Sequence, residues 1–151
     1  LAERISSAMM LAVPEEAVPA GDASLVDIPE DRLVAVTRSV MEEAVQQGNV
    51  VFVGRGAAFL LGERADALHV FCHAPLPSLI EYAIEHRGVN PATAEAEVHK
   101  VNKQRERYVK RHWDRDWRAP ENYHLCIDTG RLGIPAAAEL VLAAARTRFA
   151  L

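Results

Sequence analysis

The chain has 151 residues, half of them hydrophobic and a quarter charged, which is enough for one domain with its own core. No apolar run approaches the roughly 20 residues that cross a bilayer, so we expect no membrane contact. The net charge of −4 argues against a general nucleic-acid binder, and only two cysteines argue against a disulfide-stabilised secreted protein, so the cytoplasm is the expected location.

Charge is unevenly distributed along the chain. Residues 100–118 contain eight Lys/Arg and three Asp/Glu, a local balance of +5, whereas the remainder has a balance of −9. One concentrated positive segment on an acidic body favours a local anionic ligand over an extended nucleic-acid surface.

The first 28 residues give weak structural signals. Residues 1–5 resemble the end of a helix, and Pro14, Pro19 and Gly21 interrupt residues 6–28, which we therefore predict to be mainly loop. The sequence starts without Met, so we expect that upstream sequence is missing, and whether residues 1–28 are contiguous stays open.

Residues 29–62 predict a helix, a buried strand and a short helix. The first helix spans 29–47, ends before Gly48, and has an apolar stripe of Leu33, Val36, Val40, Ala44 and Val45. The uninterrupted apolar run at 50–53 predicts a strand buried on both faces. A short helix at 56–61 should end at Gly62.

The turn Gly54-Arg55-Gly56 follows this predicted strand directly. In open α/β sheets, ligands bind at the carboxyl ends of strands. A guanidinium between two residues without side chains is suited to a phosphate or a carboxylate. The alternative is a surface arginine that pairs with a nearby acid.

The rest of the chain alternates strands and helices. Strands are predicted at 68–72 and 125–127, and helices are predicted at about 76–87, 91–112 and 135–148, with a loop over 113–122 that Trp113 and Trp117 should anchor. Gly88 should end the first of these helices, and Asn90-Pro91 should begin the second. This alternation predicts an α/β fold, a parallel sheet with crossover helices.

The helix at 91–112 separates charge from apolar side chains. Its basic side carries Lys100, Lys103, Arg107, Lys110 and Arg111, and its other side carries Val98, Val101, Tyr108 and Val109. Arg105 falls in the middle of the apolar side, so we expect it to be buried or half-buried and to meet an acid or an anionic ligand. A solvated basic face, a nucleic-acid surface and a small polyphosphate site are all open at this point.

Cys72 and Cys126 each lie in an apolar strand-like run and are predicted to be buried free thiols. His69 and His73 should point to the strand face opposite Cys72, so no metal site is predicted there.

Several segments, in order and spacing, resemble the cytidylate kinase-like family over about residues 31–142. They are Val-Gly-Arg-Gly-Ala-Ala-Phe-Leu-Leu at 53–61, His69-Val70, Ala74-Pro75, Asn-Lys-Gln-Arg-Glu-Arg-Tyr-Val at 102–109, Asp116-Trp117 and Tyr-His-Leu-Cys-Ile-Asp-Thr at 123–129. The resemblance implies the P-loop fold of nucleoside monophosphate kinases, as a single domain over 1–151 with a helical lid at about 91–118.

The same resemblance implies transfer of the γ-phosphoryl group of ATP to a nucleoside monophosphate such as CMP, with Mg²⁺. Arg55, flanked by Gly54 and Gly56, would bind the acceptor. Catalytic cations on the lid would be Lys103, Arg105 and Arg107, and Asp128 and Thr129 would lie near the ATP base. No metal ligand from the protein is implied, and a homo-oligomer is left open.

Three features depart from the family pattern. The sequence has no Gly-x-x-x-x-Gly-Lys-[Ser/Thr], so the phosphate loop either lies upstream or has been lost. Leu79 stands where the family usually has arginine, and Asn102 stands where it often has aspartate. A non-catalytic nucleotide sensor of the same fold is therefore the alternative function, and a protein-interaction module using residues 100–118 is a third hypothesis.

Overall fold

The computed structural model describes residues 30–62 and 64–150, which fall into two compact units that divide after Gly62. Numbered from the first described helix, the first unit contains α1 (Glu30–Gln46) and α2 (Ala57–Leu61). The second unit contains β1 (Val70–His73), α3 (Leu76–Arg87), α4 (Ala94–Trp113), a 3₁₀ turn (Pro120–Asn122), β2 (Leu125–Asp128), α5 (Thr129–Leu132) and α6 (Ile134–Phe149). The predictions for residues 1–28 lie outside the described residues.

In the first unit, α1 packs on α2. Met41 is the buried residue of α1 and Leu60 is that of α2. A hydrogen bond from Arg38 Nη1 to the Leu60 carbonyl, 3.1 Å long, also joins the two helices. The predicted helix bounds are confirmed, and Gly62 ends α2 as expected.

The prediction that the apolar stripe of α1 is buried is wrong. Leu33, Val36 and Val40 are 49%, 55% and 39% exposed. Helical periodicity identifies one face, but burial also requires an element that covers it. Within the described part of this unit, α2 is the only neighbouring helix, and Met41 rather than this stripe is the buried part of α1.

The predicted strand at residues 50–53 is also wrong. The structure assigns no strand there, and Val51 and Val53 are 64% and 71% exposed. A strand exists only when its N–H and C=O groups pair with a neighbouring strand. No such pairing partner occurs among residues 30–62 and 64–150, so the apolar composition of residues 50–53 is not enough to make them a strand.

The second unit is built on one parallel pair of strands. β1 pairs with β2 in the register Val70↔Leu125 to His73↔Asp128, and the chain between them forms α3 and α4. The side chain of Ile127 is 3% exposed, and α6 packs on β2. The prediction of parallel strands with crossover helices is confirmed for these two strands.

Helix bounds in the second unit follow local capping. α3 spans the predicted residues and ends at Gly88, whose φ is 65°. α4 begins three residues later than predicted, because Asn90 closes a separate turn: its Oδ1 accepts from the Ala92 N–H at 2.9 Å. No helix in the described part of the chain is both long and apolar enough to cross a bilayer.

Cys72 and Cys126 are free thiols as predicted, but both are exposed rather than buried. Cys126 is in register with Phe71, and Cys72 is in register with Ile127, so the two thiols point to opposite faces of the pair. Neighbouring side chains still remove water from the Cys72 thiol, and this desolvation raises its pKa. A raised pKa keeps the thiol protonated and unreactive.

Candidate functional site

The turn that carries Arg55 has an unusual backbone. Gly54, Arg55 and Gly56 are all left-handed, with φ of 73°, 53° and 69°, and the Ala57 N–H donates to the Gly54 carbonyl at 3.1 Å. For Arg55 this conformation costs about 1–2 kcal/mol. A strained residue in a turn is a reason to look for a function at that residue.

Arg55 is an exposed residue. A Cβ added to Gly54 would meet no atom within 4 Å, so backbone conformation rather than crowding requires glycine there. The sequence identified the residues of this turn correctly, although the strand expected to precede it is absent.

The three predicted lid cations, Lys103, Arg105 and Arg107, are all exposed on α4. The expectation that Arg105 would be buried is wrong. Val109 is the buried residue on the apolar side of this part of the helix, at 5% exposure. Arginine carries its charge at the end of a long aliphatic stem, so the guanidinium can reach water from a largely apolar face.

Two neutral groups are among the contacts of Arg105. Its Nη1 donates to Asn102 Oδ1 at 3.2 Å, and its Cζ lies 5.9 Å from the centroid of the Trp117 ring. The side chain at residue 102 is a neutral amide, so this hydrogen bond orients the guanidinium without forming an ion pair. The departure at Asn102 is therefore compatible with an anion-binding role.

Other cations of α4 differ in whether an acid accompanies them. Lys110 Nζ lies 2.6 Å from Asp114, and this hydrogen bond, followed by the lysine charge, lowers the pKa of Asp114. Lys100 lies 3.5 Å from Glu97. No carboxylate among the described residues pairs with Lys103 or Arg107, which are one helical turn apart and repel each other.

The loop after α4 is anchored by an aromatic cluster, as the sequence predicted for Trp117. The Trp117 ring meets Phe71 of β1 edge-on at 5.5 Å, and Phe71 stacks on Tyr123 at 4.9 Å. The Tyr123 hydroxyl donates to the Trp117 carbonyl at 2.6 Å. Burial, followed by the nearby Cys126 and Asp116, raises the pKa of Tyr123, so this hydroxyl keeps its proton.

Sequence reasoning missed a second arginine at this cluster. The Cζ of Arg118 lies 5.1 Å from the Trp117 ring centroid. The sequence shows that Arg118 follows Trp117 directly. A loop has no periodicity, however, from which a contact between the two side chains can be predicted.

Asp128 and Thr129 both have structural contacts. Asp128 caps α5, since its Oδ1 accepts from the Gly130 and Arg131 N–H groups at 3.1 and 3.0 Å. Thr129 Oγ1 donates to the His73 carbonyl at 3.0 Å. These bonds fix α5 at the end of the parallel pair, where α/β folds bind ligands.

Gly130 was also missed as a positioning residue. A Cβ there would lie 2.7 Å from Pro75 Cδ and 2.9 Å from Ala74 Cβ. Only glycine allows α5 to approach the start of α3 this closely.

Neither the histidines nor the groove between α3 and α4 competes with the cations as a phosphate site. His69 stacks on His124 at 5.1 Å, and no group of three or more His, Cys, Asp or Glu among the described residues could hold a metal ion. A groove of about 720 Å³ between α3 and α4 has a rim of Glu81, Glu85 and Glu95, which repels phosphate.

The structure therefore brings together Arg105, Asn102, Trp117 and Arg118 in the second unit. Asp128 and Thr129 are joined to β1 in the same unit. Arg55 belongs to the first unit, and its convergence with the lid cations on one pocket stays a prediction.

Comparison with known proteins agrees with this architecture. The chain is similar to a crystal structure described as an uncharacterized protein from Eubacterium ventriosum ATCC 27560, with a TM-score of 0.71 and 18% identity; the match covers 78% of this chain and 74% of that one. At that identity the similarity shows the fold alone. No curated protein matches the chain. The sequence profile of the cytidylate kinase-like family matches residues 3–131, most of the chain, and the chain therefore belongs to that family.

Proposed function

We propose that this protein transfers the γ-phosphoryl group of ATP to a nucleoside monophosphate, with CMP as the expected acceptor. Membership of the cytidylate kinase-like family supports a nucleotide kinase-type function. The fold proposed for the whole chain is that of the P-loop nucleoside monophosphate kinases, and the proposed location is the cytoplasm, where both substrates occur.

One observation carries the proposal: Lys103 and Arg107 are exposed, one turn apart on α4, and have no carboxylate partner among the described residues. Like charges at this spacing destabilise a helix by a few tenths of a kcal/mol. A polyphosphate would remove that repulsion by binding both cations. Together with the family match, this pair of cations supports a phosphate-binding lid.

The proposed chemistry forms one P–O bond and breaks another. An oxygen of the acceptor phosphate attacks the γ-phosphorus, and the bond from that phosphorus to the bridging oxygen of ADP breaks. Negative charge spreads over the moving group, so catalysis depends mainly on position and on nearby positive charge. We propose that Lys103, Arg105 and Arg107 supply that charge from the lid.

Arg55 is proposed to bind the acceptor phosphate, with Gly54 and Gly56 holding its backbone in the left-handed turn. A planar guanidinium can bind two phosphate oxygens at once and so orient the acceptor. Asp128 and Thr129 are proposed to act near the ATP base by fixing α5, because their side chains are already used in the cap and in the bond to His73.

The donor chemistry of these residues fits ATP but does not by itself fit Mg²⁺. Arginine and lysine donate to phosphate oxygens, whereas Mg²⁺ requires oxygen ligands. In this proposal Mg²⁺ arrives bound to the phosphates of ATP, as part of the substrate, and its role there is to neutralise phosphate charge.

The direct test is to incubate the full chain with Mg²⁺, ATP and CMP, UMP or AMP, and to measure nucleoside diphosphate formed. We expect the diphosphate of at least one acceptor, with CMP the best. Folded protein that forms none of the three diphosphates would contradict the proposal.

A second candidate is a nucleotide sensor that binds without catalysis. Leu79, which stands on α3 where the family usually has arginine, favours it, because one phosphate contact would be missing. This candidate predicts that ATP or CMP raises the melting temperature while no diphosphate appears. An interaction module using residues 100–118 predicts no effect of either nucleotide on melting.

A further inference from the structure

We propose that the groove between α3 and α4 binds the last two turns of α6, residues 142–149, from a second copy of this chain. The protein then self-associates through a helix that lies in a groove. This inference goes beyond the proposed function and does not depend on it. It rests on two surfaces of the second unit that match each other in apolar character and in charge.

The groove has an apolar floor. Leu76, Ile80 and Ile84 line it at intervals of one helical turn along α3, and all three are only half-buried. Side chains four residues apart share one face of a helix, so these three form a continuous apolar strip. A groove with such a strip is suited to the apolar face of an amphipathic helix.

The rim of the groove is acidic. Glu81 and Glu85 are exposed one turn apart on α3, and Glu95 lines the groove from α4. No basic side chain among the described residues pairs with Glu81 or Glu85, whereas Glu95 lies 3.8 Å from His99. Carboxylates one turn apart repel each other, so this rim favours a helix that brings a cation.

The last two turns of α6 carry the complementary surface. Leu142 is 46% exposed, Phe149 is 37% exposed, and the exposed Arg146 lies between them in the sequence. The spacing i, i+4, i+7 places these three side chains on one side of the helix. No acid in the described part of the chain pairs with the Arg146 guanidinium, whereas Arg148 donates to the Ala67 carbonyl at 2.6 Å.

The two surfaces are therefore complementary in two respects. Leu142 and Phe149 can pack on the apolar floor while Arg146 meets the carboxylates of the rim. Glu139 lies two turns before Arg146 on the same side of α6 and is repelled by the rim, which confines the contact to residues 142–149. A symmetric dimer forms this contact twice, whereas an open chain of copies forms it once per added copy.

The competing explanation is that neither surface has a partner, since exposed apolar side chains are common on monomeric proteins. It predicts a monomer, and it predicts that reversing charge at either surface leaves the mass in solution unchanged. Reversing charge at both surfaces in one chain is the sharper test, because only a direct contact between them recovers association.

The experiment measures self-association of the full chain by analytical ultracentrifugation over a wide range of protein concentration. The variants are Arg146→Glu, the pair Glu81→Arg/Glu85→Arg, and all three changes in one chain, with Arg32→Glu at an exposed position on α1 as the matched control. We expect Arg146→Glu and the groove pair each to raise the dissociation constant about tenfold or more, because like charges then meet. The triple variant should recover most of the native association, and Arg32→Glu should leave it unchanged.

The apolar part of the contact is tested separately. Leu142→Ser should raise the dissociation constant about tenfold, because an apolar side chain no longer leaves water on association. Leu140→Ser is the control, since Leu140 is 47% exposed but points away from the strip of Leu142, Arg146 and Phe149. The melting temperature shows whether each variant is folded, and Leu142→Ser and Arg146→Glu decide the question if the groove pair does not fold.

Self-association that Arg146→Glu weakens and the triple variant recovers supports the contact. A chain that stays monomeric at every concentration overturns it and leaves the groove to a basic helix of a different protein. Association that neither Arg146→Glu nor Leu142→Ser weakens overturns it as well, because the copies then meet through other surfaces.

Discussion

Two arginines proposed to bind phosphate are held in different ways. The backbone of Arg55 lies in a turn where three successive residues have positive φ. Arg105 sits on a regular helix and is positioned by side chains, the amide of Asn102 and the ring of Trp117. The arrangement at Arg55 depends on local backbone conformation. The arrangement at Arg105 depends on the loop that follows α4, which Trp117 anchors on β1.

The difference indicates what each arginine tolerates. The Arg55 turn is sensitive to any substitution that alters its φ values. The position of Arg105 is sensitive to its supporting side chains instead, and Arg105 can move when the loop that carries Trp117 moves. A fixed acceptor-binding group and a mobile lid group would need these two properties respectively.

The largest effect should come from removing either cation. We expect Arg55→Gln and Arg105→Gln each to lower kcat/KM for diphosphate formation about 10²–10³-fold, by analogy with loss of one preorganised donor at a developing charge. Arg32→Gln, at an exposed position on α1, is the control and should leave kcat/KM within a factor of two. Equal activity for all three variants would remove both arginines from the proposed site.

Gly130→Ala should destabilise the second unit by crowding. The added Cβ would lie 2.7 Å from Pro75 Cδ, so α5 and the start of α3 must separate. Overpacking of this kind costs about 1–3 kcal/mol of unfolding free energy. Urea unfolding measures this loss, and an unchanged midpoint would show that the segment relaxes freely.

Gly54→Ala should strain the Arg55 turn without crowding it. Nothing lies within 4 Å of the added Cβ, but φ of 73° is unfavourable for alanine, so we expect a loss of about 1 kcal/mol. The variant should also raise KM for the acceptor more than KM for ATP. Equal changes in the two KM values would contradict the assignment of this turn to the acceptor.

The smallest effect is a pH dependence confined to the second unit. Desolvation, then Arg148 and His69, lower the pKa of His124 from its usual 6.5. The backbone N–H of His69 donates to Nδ1 of His124 at 2.8 Å, which requires this ring nitrogen of His124 to be unprotonated. His124 binds a proton more readily in the unfolded chain than in the folded protein. The contribution of unprotonated His124 to folding stability is therefore complete above pH 6.5 and is lost as pH falls below it.

The check is urea unfolding at pH 7.5 and 5.5 of the native chain and of His124→Asn, which keeps an acceptor but does not titrate. The native chain should lose more stability on acidification than the variant does. An equal loss in both would assign the pH dependence to other groups.

Local patterns predicted the elements of the second unit and the helix bounds of the first, but they did not predict burial or strand pairing in the first unit. The bounds of α3 follow from Pro75 and Gly88, and β1 and β2 follow from short apolar runs, because each signal is local and each strand has a partner. Residues 50–53 have the same apolar signal, but burial and pairing depend on other parts of the chain. The same limit explains why Leu33 and Val36 were wrongly expected to be buried.

For the candidate site, the sequence identified which residues carry charge but not what holds them. Arg105 was expected to be buried because a helical wheel includes only the residues of one helix. Trp117, which contacts Arg105, lies beyond the end of that helix. The crowding at Gly130 arises between α5 and α3, which are separated by the whole of α4. Contacts between distant segments have no signature in local periodicity.

The register of the parallel pair has a consequence for folding order. His69 and His124, at the start of the pair, are 55 positions apart, and every rung of the ladder closes a loop of that size. Contacts between positions so far apart form slowly, because the chain loses entropy on closing the loop before the hydrogen bonds of the strand pair stabilise it. The contact of Trp117 with Phe71 also closes a long loop, so on a nascent or refolding chain α4 can become helical before the loop that follows it is anchored on β1.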